Sequence, residues 1–318
     1  MRIGAVFPAT ALPEELPSFA ARIEELGYDE LWVIEDCFLS GGLTLAATAL
    51  AATHAVHVGI GLLPAAVRNP AIAAMEIATL ARLHPGRLTV TFGHGVESWM
   101  TQIGARPAKR VAALGEVITA VRRLLAGEVV TMAGTWVSLD SVVLEHPPGL
   151  APPVLAGTTG AQGMRLAARR ADGLLLPEGC GLTFVSQARQ LTAEVQRPLP
   201  DPLELVVYAW LKIGEDEPAR AALSGAVAHW FDCGLYGGPT RAAGLDETPP
   251  PGPLSRALTD ELAVAGTAEQ CAAGVARFVE AGAQRLVLAA VGTDYAEQYE
   301  AFARDALPLC ATMSAARR

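Results

Sequence analysis

The feature that most constrains the fold is the alternation of short apolar runs with longer amphipathic segments along the 318 residues. Each run has the length of a buried strand, and each longer segment carries apolar residues at helical spacing. Repeated strand and helix units of this kind build a parallel sheet covered by helices. The runs that predict strands span 3–7, 29–34, 56–62, 87–92, 153–156, 172–176, 204–211 and 285–290.

Eight strands separated by helices predict the α/β class and a single (β/α)8 barrel over 1–318. Helical patterns lie near 14–26, 43–54, 70–83, 107–126, 160–171, 183–196, 217–230, 267–281 and 295–313. Two insertions are expected within this domain. Residues 128–146 alternate like a β-hairpin, and 214–260 read as a helical and loop insertion after the seventh strand.

Charge and cysteine usage exclude several classes of protein. The formal net charge is −9, and no dense cluster of Lys and Arg could follow a nucleic-acid backbone. The five cysteines are scattered singly, which predicts a reduced cytoplasmic protein without a structural metal. Residues 37–67 lack Asp, Glu, Lys and Arg, but Gly41-Gly42 and Pro64 divide them into a helix and a strand. We therefore expect neither nucleic acid nor membrane as a partner.

Catalytic and ligand-binding groups of such a barrel lie in the loops after the carboxyl ends of the strands. The second predicted strand is followed by Glu35 and Asp36. Adjacent carboxylates are tolerated in a solvent-facing loop and are equally useful in an active site, so both interpretations stay open.

The loop after the fourth strand contains the histidine that we favour for proton transfer. His94 lies between Gly93 and Gly95, and Glu97 follows. An ordinary imidazole pKa of about 6.5 would let His94 give and take a proton near neutral pH. The alternative is a structural histidine.

Small residues follow the fifth strand and open directly into a helix. Gly157, Thr158, Thr159 and Gly160 offer free N–H groups and hydroxyls at a helix start, which predicts a phosphate site. The alternative is an ordinary threonine cap. After the sixth strand, Glu178 is a further candidate, either in the site or in solvent.

Several segments resemble the luciferase-like monooxygenase superfamily, and the similarity covers nearly the whole chain. They are 27–33 (GYDELWV), 59–61 (GIG), 68–70 (RNP), 73–80 (AAMEIATL), 85–87 (PGR), 170–173 (RADG) and 266–270 (GTAEQ). The resemblance implies a bacterial-luciferase-like barrel that uses FMN or the deazaflavin coenzyme F420. The sequence looks closer to the F420-dependent oxidoreductases found in actinobacteria.

In that branch the tricyclic ring lies in the barrel mouth, against a bulge in the third strand that contains a non-prolyl cis peptide. By position, the resemblance places this bond at Gly61–Leu62. The cofactor-binding residues expected from the resemblance and the loops together are Gly61, Leu62, Gly93, His94, Gly95, Gly157, Thr158, Thr159, Gly160 and Glu178.

The sequence also departs from that branch. Several F420 enzymes have Asp-His where this chain has Glu35-Asp36, and an acid where it has Val96, with Glu97 one residue later. The candidates for the proton-transfer group are therefore His94, Glu35, Asp36 and Glu97.

The predicted function is hydride transfer between F420 and an organic substrate that the sequence does not identify. One alternative is an FMN-dependent monooxygenase that uses the same face of the barrel. Another is a non-catalytic barrel that binds flavin without turnover. A small molecule is the expected partner, and a homodimer is possible because relatives commonly dimerise.

Overall fold

All eight predicted strands form, and together they close a barrel. The computed structural model describes residues 1–232, 237–245 and 252–315. Its strands are β1 (Arg2–Val6), β2 (Glu30–Val33), β3 (His57–Pro64), β4 (Leu88–Gly93), β5 (Val130–Ala133), β6 (Ser138–Val142), β7 (Val154–Gly157), β8 (Gly173–Leu176), β9 (Glu204–Ile213), β10 (Ala263–Gly266) and β11 (Arg285–Ala290).

Parallel pairing runs around the barrel in the order β11, β1, β2, β3, β4, β7, β8 and β9, and β9 pairs again with β11. The (β/α)8 prediction is therefore confirmed. The ninth strand of this sheet, β10, was not predicted. It pairs with the second half of β9, from Trp210 to Ile213, beyond the part that pairs with β8. Its sequence AVAG is short and rich in residues that favour strands weakly.

Helices cover the outside of the barrel. They are α1 (Leu16–Glu25), α2 (Gly42–Ala51), α3 (Pro70–Leu83), α4 (Glu97–Gln102), α5 (Arg110–Leu125), α6 (Ala161–Arg170), α7 (Leu182–Ala193), α8 (Asp216–Asp232), α9 (Gly238–Ala242), α10 (Arg256–Leu262), α11 (Ala268–Ala281), α12 (Tyr295–Ala301) and α13 (Leu307–Ala315), with a 3-10 turn at Pro13–Glu15 and a π-helical turn at Phe302–Ala306. No helix within the described residues combines enough length and apolar character to cross a bilayer.

The two insertions have different structures. Strands β5 and β6 pair antiparallel within 128–146, and Glu116 of α5 accepts hydrogen bonds from the backbone N–H groups of Thr135, Trp136 and Val137 at their turn. The predicted 214–260 insertion contains α8, α9 and the first five residues of α10. Residues 233–236 and 246–251 of this insertion lie outside the described residues.

Three apolar cores result from this architecture. The largest lies between the strands and the helices. A second lies between α8, α10 and the strands β9 and β10. The smallest is inside the barrel, since its rings meet across strands that are not neighbours. The rings of Trp32 in β2 and Tyr208 in β9 are 5.7 Å apart, although β1 and β11 separate these strands. A side chain at Gly59 would overlap the Trp32 indole, at 2.2 Å, so glycine there makes room for tryptophan.

Candidate active site

A cavity of about 750 Å³ opens at the carboxyl ends of the strands. The loops after β2, β3, β4, β7 and β8 form its wall, and Tyr208 reaches it from inside the barrel. Most of the predicted site residues meet here. Those that line the cavity are Glu35, Asp36, Gly61, Leu62, His94, Gly95, Gly157, Thr158, Thr159, Gly160 and Glu178.

The floor of the cavity is a bulge in β3. Ile60 pairs with Val90 and Leu63 with Phe92, so two residues of β3, Gly61 and Leu62, stand opposite one residue of β4. The Gly61–Leu62 peptide bond is cis, as the resemblance implies. A second non-prolyl cis bond joins Cys37 to Phe38 and was not predicted.

Two glycines make room for the Leu62 side chain, which supplies an apolar surface to the cavity. A Cβ atom would lie 2.3 Å from Leu62 Cδ2 at Gly93 and 2.6 Å from it at Gly157. Gly93 itself is not among the residues that line the cavity. Its contribution is therefore indirect, through the position of Leu62.

The loop Gly157–Gly160 leads into α6 without a side-chain cap. Gly160 is the N-cap residue, and no side chain accepts a hydrogen bond from the first N–H groups of the helix. Open space surrounds Gly160, since a Cβ there would meet no atom within 4 Å. Thr158 is buried and packs against Gly163, where a Cβ would lie 2.2 Å from its hydroxyl oxygen. Free N–H groups beside open space suit an anion.

The adjacent acids Glu35 and Asp36 have different environments. Arg68 donates to both carboxylate oxygens of Glu35, at 2.6 and 2.7 Å, and the backbone N–H of Gly42 donates to one of them at 2.9 Å. Glu35 is thus fully engaged in holding its loop against α2. The Asp36 carboxylate has no hydrogen bond or ion pair within the described part of the chain, and burial raises its pKa.

Glu178 lies in the same cavity, after β8, and is partly buried. Its carboxyl has no hydrogen bond to another side chain among the described residues. Burial raises the pKa of Glu178 to about 7, and the nearby charge of Asp36 adds to the increase. At neutral pH this carboxyl is therefore present in both protonation states, which is the condition for general acid–base catalysis.

The environment of His94 differs from the expectation. Burial, together with the positive charge of Arg110, lowers its pKa to about 4. The imidazole is consequently neutral near pH 7, and the ordinary pKa of about 6.5 on which its prediction rested does not apply. His94 still lines the cavity and can form hydrogen bonds to a ligand.

Glu97 is the catalytic candidate that the structure places outside the cavity wall. It lies at the start of α4 with half of its side chain exposed, and it binds Arg106 at 2.5 Å and Arg110 at 2.7 Å. These arginines lower the pKa of Glu97. Its contact with the cavity is through Arg110, which does line it, and a direct proton-transfer role for Glu97 stays a prediction.

Trp99, Arg110 and Tyr208 are among the lining residues that sequence reasoning missed. Tyr208 had a detectable signal, because it is the one hydroxyl-bearing residue in the apolar run 204–211 (ELVVYAWL). Its hydroxyl is buried without a hydrogen-bond partner among the described residues. Arg110 begins a helix, and nothing in the sequence indicates that the chain turns it towards the cavity.

Fold and site together define a (β/α)8-barrel enzyme whose cavity lies at the carboxyl ends of the strands. The sequence model of the luciferase-like monooxygenase family matches residues 1–285. The chain therefore belongs to this family, and it is an oxidoreductase.

Curated relatives and solved structures agree with this assignment. The chain is 27% identical over 227 residues to a 5,10-methylenetetrahydromethanopterin reductase of Methanolobus tindarius, covering 71% of the chain and 69% of the reductase. It is 28% identical over 235 residues to an F420-dependent glucose-6-phosphate dehydrogenase of Beutenbergia cavernae, covering 69% of each.

Two solved structures share the fold over nearly their whole length. The F420-dependent tetrahydromethanopterin reductase of Methanopyrus kandleri has a TM-score of 0.82 at 17% identity, with 97% of this chain and 99% of that chain covered. An F420-dependent secondary alcohol dehydrogenase in complex with an F420-acetone adduct has a TM-score of 0.78 at 22% identity, with 97% and 98% covered.

Proposed function

We propose that this enzyme transfers a hydride between coenzyme F420 and an organic substrate in the cavity at the barrel mouth. The observation that carries the proposal is the presence, in one cavity, of an apolar strand bulge and an uncapped helix start. F420 combines a planar tricyclic ring with a phosphate-bearing chain. The relatives that use F420 support this cofactor over FMN.

The residues fit such a cofactor at both of its ends. Gly61 and Leu62 would support the ring, while Thr158, Thr159 and Gly160 would hold the phosphate by N–H groups and hydroxyls. Arg110 is the only arginine or lysine among the described lining residues, and it can donate hydrogen bonds on the β4 side while Glu97 compensates its charge. When bound, F420 supplies or accepts the hydride, and the protein supplies position, electrostatics and one acid–base group.

FMN is the second candidate cofactor, because it also has a tricyclic ring and a phosphate. The same fold occurs in a Baeyer–Villiger monooxygenase from Pseudomonas putida in complex with FMN, with a TM-score of 0.75 at 18% identity. An FMN-dependent enzyme would retain FMN and its absorbance through purification, whereas the proposed function requires F420 to bind more tightly than FMN.

Replacing Thr159 by Glu tests the phosphate end of the site. The added carboxylate would repel phosphate and remove a hydroxyl donor, so F420 affinity should fall by at least about tenfold, which is about 1.4 kcal/mol. Fluorescence titration with F420 measures this change. Thr79→Glu is the matched control, since it adds the same charge on the exposed surface of α3 and should leave affinity unchanged. Equal affinities in the two variants would contradict the site.

A further inference from the structure

The hydroxyl of Tyr208 is a buried polar group without a partner. Tyr208 is 2% exposed, and its Oη atom forms no hydrogen bond in the described part of the chain. This oxygen lies beside the bulge, since a Cβ at Gly61 would be 2.2 Å from it, and the residue lines the cavity. A buried hydroxyl without a partner is unfavourable, because it has lost its hydrogen bonds to water without gaining others. Such a group at a cavity wall indicates that a ligand atom completes its hydrogen bonding.

Two carboxyl groups without a side-chain partner among the described residues line the same cavity as Tyr208. Asp36 comes from the loop after β2 and Glu178 from the loop after β8, and neither is bound to another described side chain. The two carboxyl groups interact electrostatically with each other and with the tyrosine. The charge of Asp36 raises the pKa of Glu178, and the charges of both acids raise the pKa of Tyr208. The side chains of Asp36, Glu178 and Tyr208, which follow or belong to separate strands, therefore line one cavity and form no hydrogen bonds with one another.

Other ionisable groups around this point are already accounted for. Glu35 is bound to Arg68, and Arg110 is bound to Glu97. Neutral His94 lies in the wall near Arg110, whose charge helps to lower its pKa. Four further groups interact electrostatically with the three. Burial and the charges of Glu35 and Asp36 raise the pKa of Cys37, burial and Glu178 raise the pKa of Cys180, and the other two are the buried Glu30 and Tyr299.

We propose that the reacting oxygen of the substrate binds between Tyr208 Oη and the carboxyl groups of Asp36 and Glu178, and that Glu178 transfers the proton that accompanies hydride transfer. The proposal rests on the proposed function, because the hydride comes from F420 or goes to it. It assigns the substrate to a chemical class, the uncharged alcohols and their carbonyl counterparts.

The step balances in the direction of carbonyl reduction. The carbonyl carbon gains a hydride with its two electrons, and the carbonyl oxygen gains the Glu178 proton as the C=O π bond becomes a C–O single bond. Bound F420 in its reduced form would supply the hydride, and its oxidation would release one ring N–H proton to solvent. The Glu178 carboxylate then takes up a proton from solvent, and alcohol oxidation is the reverse.

The protonation states favour Glu178 over His94 for this role. A carboxyl with a pKa of about 7 can both donate and accept a proton near neutral pH. An imidazole with a pKa of about 4 is almost entirely deprotonated there and has no proton to donate as a general acid. Asp36 acts as a positioning residue, since its negative charge helps to keep Glu178 protonated. Tyr208 donates its hydroxyl to the substrate oxygen and so orients the substrate.

The charge of the site limits the substrate to molecules without an anionic group near the reacting carbon. Asp36 and Glu178 would repel a phosphate or a carboxylate placed beside them. Among the described lining residues Arg110 is the only arginine or lysine, and its partner Glu97 already compensates its charge. The proposed substrate therefore differs from the phosphorylated sugar named for one of the relatives.

Infrared spectroscopy of the cofactor-free protein tests Glu178 without any turnover. The wild type should show a protonated carboxyl band that disappears with a midpoint near pH 7. Glu178→Gln should remove this band, and Asp36→Asn should move its midpoint to lower pH. Glu194→Gln, at an exposed position after α7, should leave the band unchanged. A midpoint unaffected by Asp36→Asn, or a band that survives Glu178→Gln, would overturn the assignment.

A second experiment uses F420-loaded protein with cyclohexanone, acetophenone and 2-pentanone as carbonyl probes, and with cyclohexanecarboxylate. At least one uncharged probe should bind with its C=O stretch shifted by hydrogen bonding, and Tyr208→Phe should reduce that shift. Turnover of that probe at saturating F420 should fall about 10²–10⁴-fold in Glu178→Gln. Preferred binding of the carboxylate, absence of any shifted probe band, or full turnover by Glu178→Gln would overturn the proposal.

The two experiments separate failure of this proposal from failure of the proposed function. If the wild type binds F420 but Glu178→Gln and Tyr208→Phe behave like Glu194→Gln, the acid–base assignment is wrong and the function stands. If the wild type does not bind F420, the proposed function is wrong and hydride transfer to these probes fails with it.

Discussion

At the amino ends of the strands, buried charged groups bind one another, whereas at the carboxyl ends they face a cavity. Arg285 at the start of β11 donates to Glu30 at 3.3 Å, to Thr89 at 3.1 Å and to Glu204. Trp32 donates its indole N–H to the second oxygen of Glu30 at 2.8 Å. At this end, every hydrogen-bonding atom of Arg285 except Nε has a partner among the described residues.

At the carboxyl ends Glu35 is paired with Arg68, but three other polar side chains lack such pairing within the described residues. Asp36, Glu178 and Tyr208 make no side-chain hydrogen bonds with one another. The difference indicates that the buried polar groups at the amino ends stabilise the fold, whereas the unpaired groups at the carboxyl ends are available to bind a ligand. The following predictions test that division, from the largest effect to the smallest.

Replacing Arg285 by Met should cause the largest loss of stability. The substitution leaves the Glu30 carboxylate buried without its main cation, which typically costs about 3–5 kcal/mol. The free energy of unfolding from denaturant titration measures this loss. Arg2→Met is the matched control, because Arg2 binds the same Glu30 oxygen at 3.3 Å but is itself half exposed, and such a pair contributes about 0–1 kcal/mol. Equal losses in the two variants would contradict the division.

Replacing Glu178 by Gln should stabilise the protein at high pH. The folded-state pKa of about 7 lies above the ordinary 4.5, so the folded protein binds more protons than the unfolded chain between these values. The wild type therefore loses stability as the pH rises through this window, by about 2–3 kcal/mol, and the variant does not.

Unfolding of both proteins at pH 4.5 and pH 8 measures this change. The stability difference between variant and wild type should grow with pH, while Glu194→Gln should show a constant difference. A difference that stays flat would mean that Glu178 is not held in the protonated form.

Replacing Gly160 by Ala should weaken cofactor binding, and it should change the stability of the protein less than the two preceding substitutions do. Its φ of −80° suits alanine and the added methyl group meets no atom within 4 Å, so stability should fall only through the weaker capping by alanine, by about 1 kcal/mol. The methyl group would nevertheless occupy the space in front of the free N–H groups of α6. F420 affinity should therefore fall about tenfold.

The matched control is Gly149→Ala, since a methyl group there also meets nothing within 4 Å and the position is remote from the cavity. Both variants should remain folded, and the free energy of unfolding of Gly160→Ala should fall by no more than about 1 kcal/mol. If Gly160→Ala also keeps full affinity for F420, the phosphate does not bind at the start of α6.

The strands of the barrel could be predicted because each is a continuous apolar run buried on both faces. β10 could not, since a stretch such as Ala263–Gly266 becomes a strand only through the free edge that the long β9 offers it. The loops of the site could also be predicted, because the carboxyl ends of parallel strands meet at one end of a barrel.

The roles of individual side chains depended on partners that are distant in sequence. Glu35 and Asp36 look equivalent along the chain, and the difference between them is Arg68, which lies 33 residues away from Glu35. The lowered pKa of His94 likewise depends on burial and on Arg110. Burial and tertiary contacts of this kind leave no local pattern in the sequence.

The most direct test of the central claim is a parallel fluorescence titration of the wild-type protein with F420 and with FMN in the same buffer. If the unpaired groups at the carboxyl ends belong to an F420 site, F420 should bind one molecule per chain with a lower dissociation constant than FMN. Tighter binding of FMN, or no saturable binding of F420, would contradict the account.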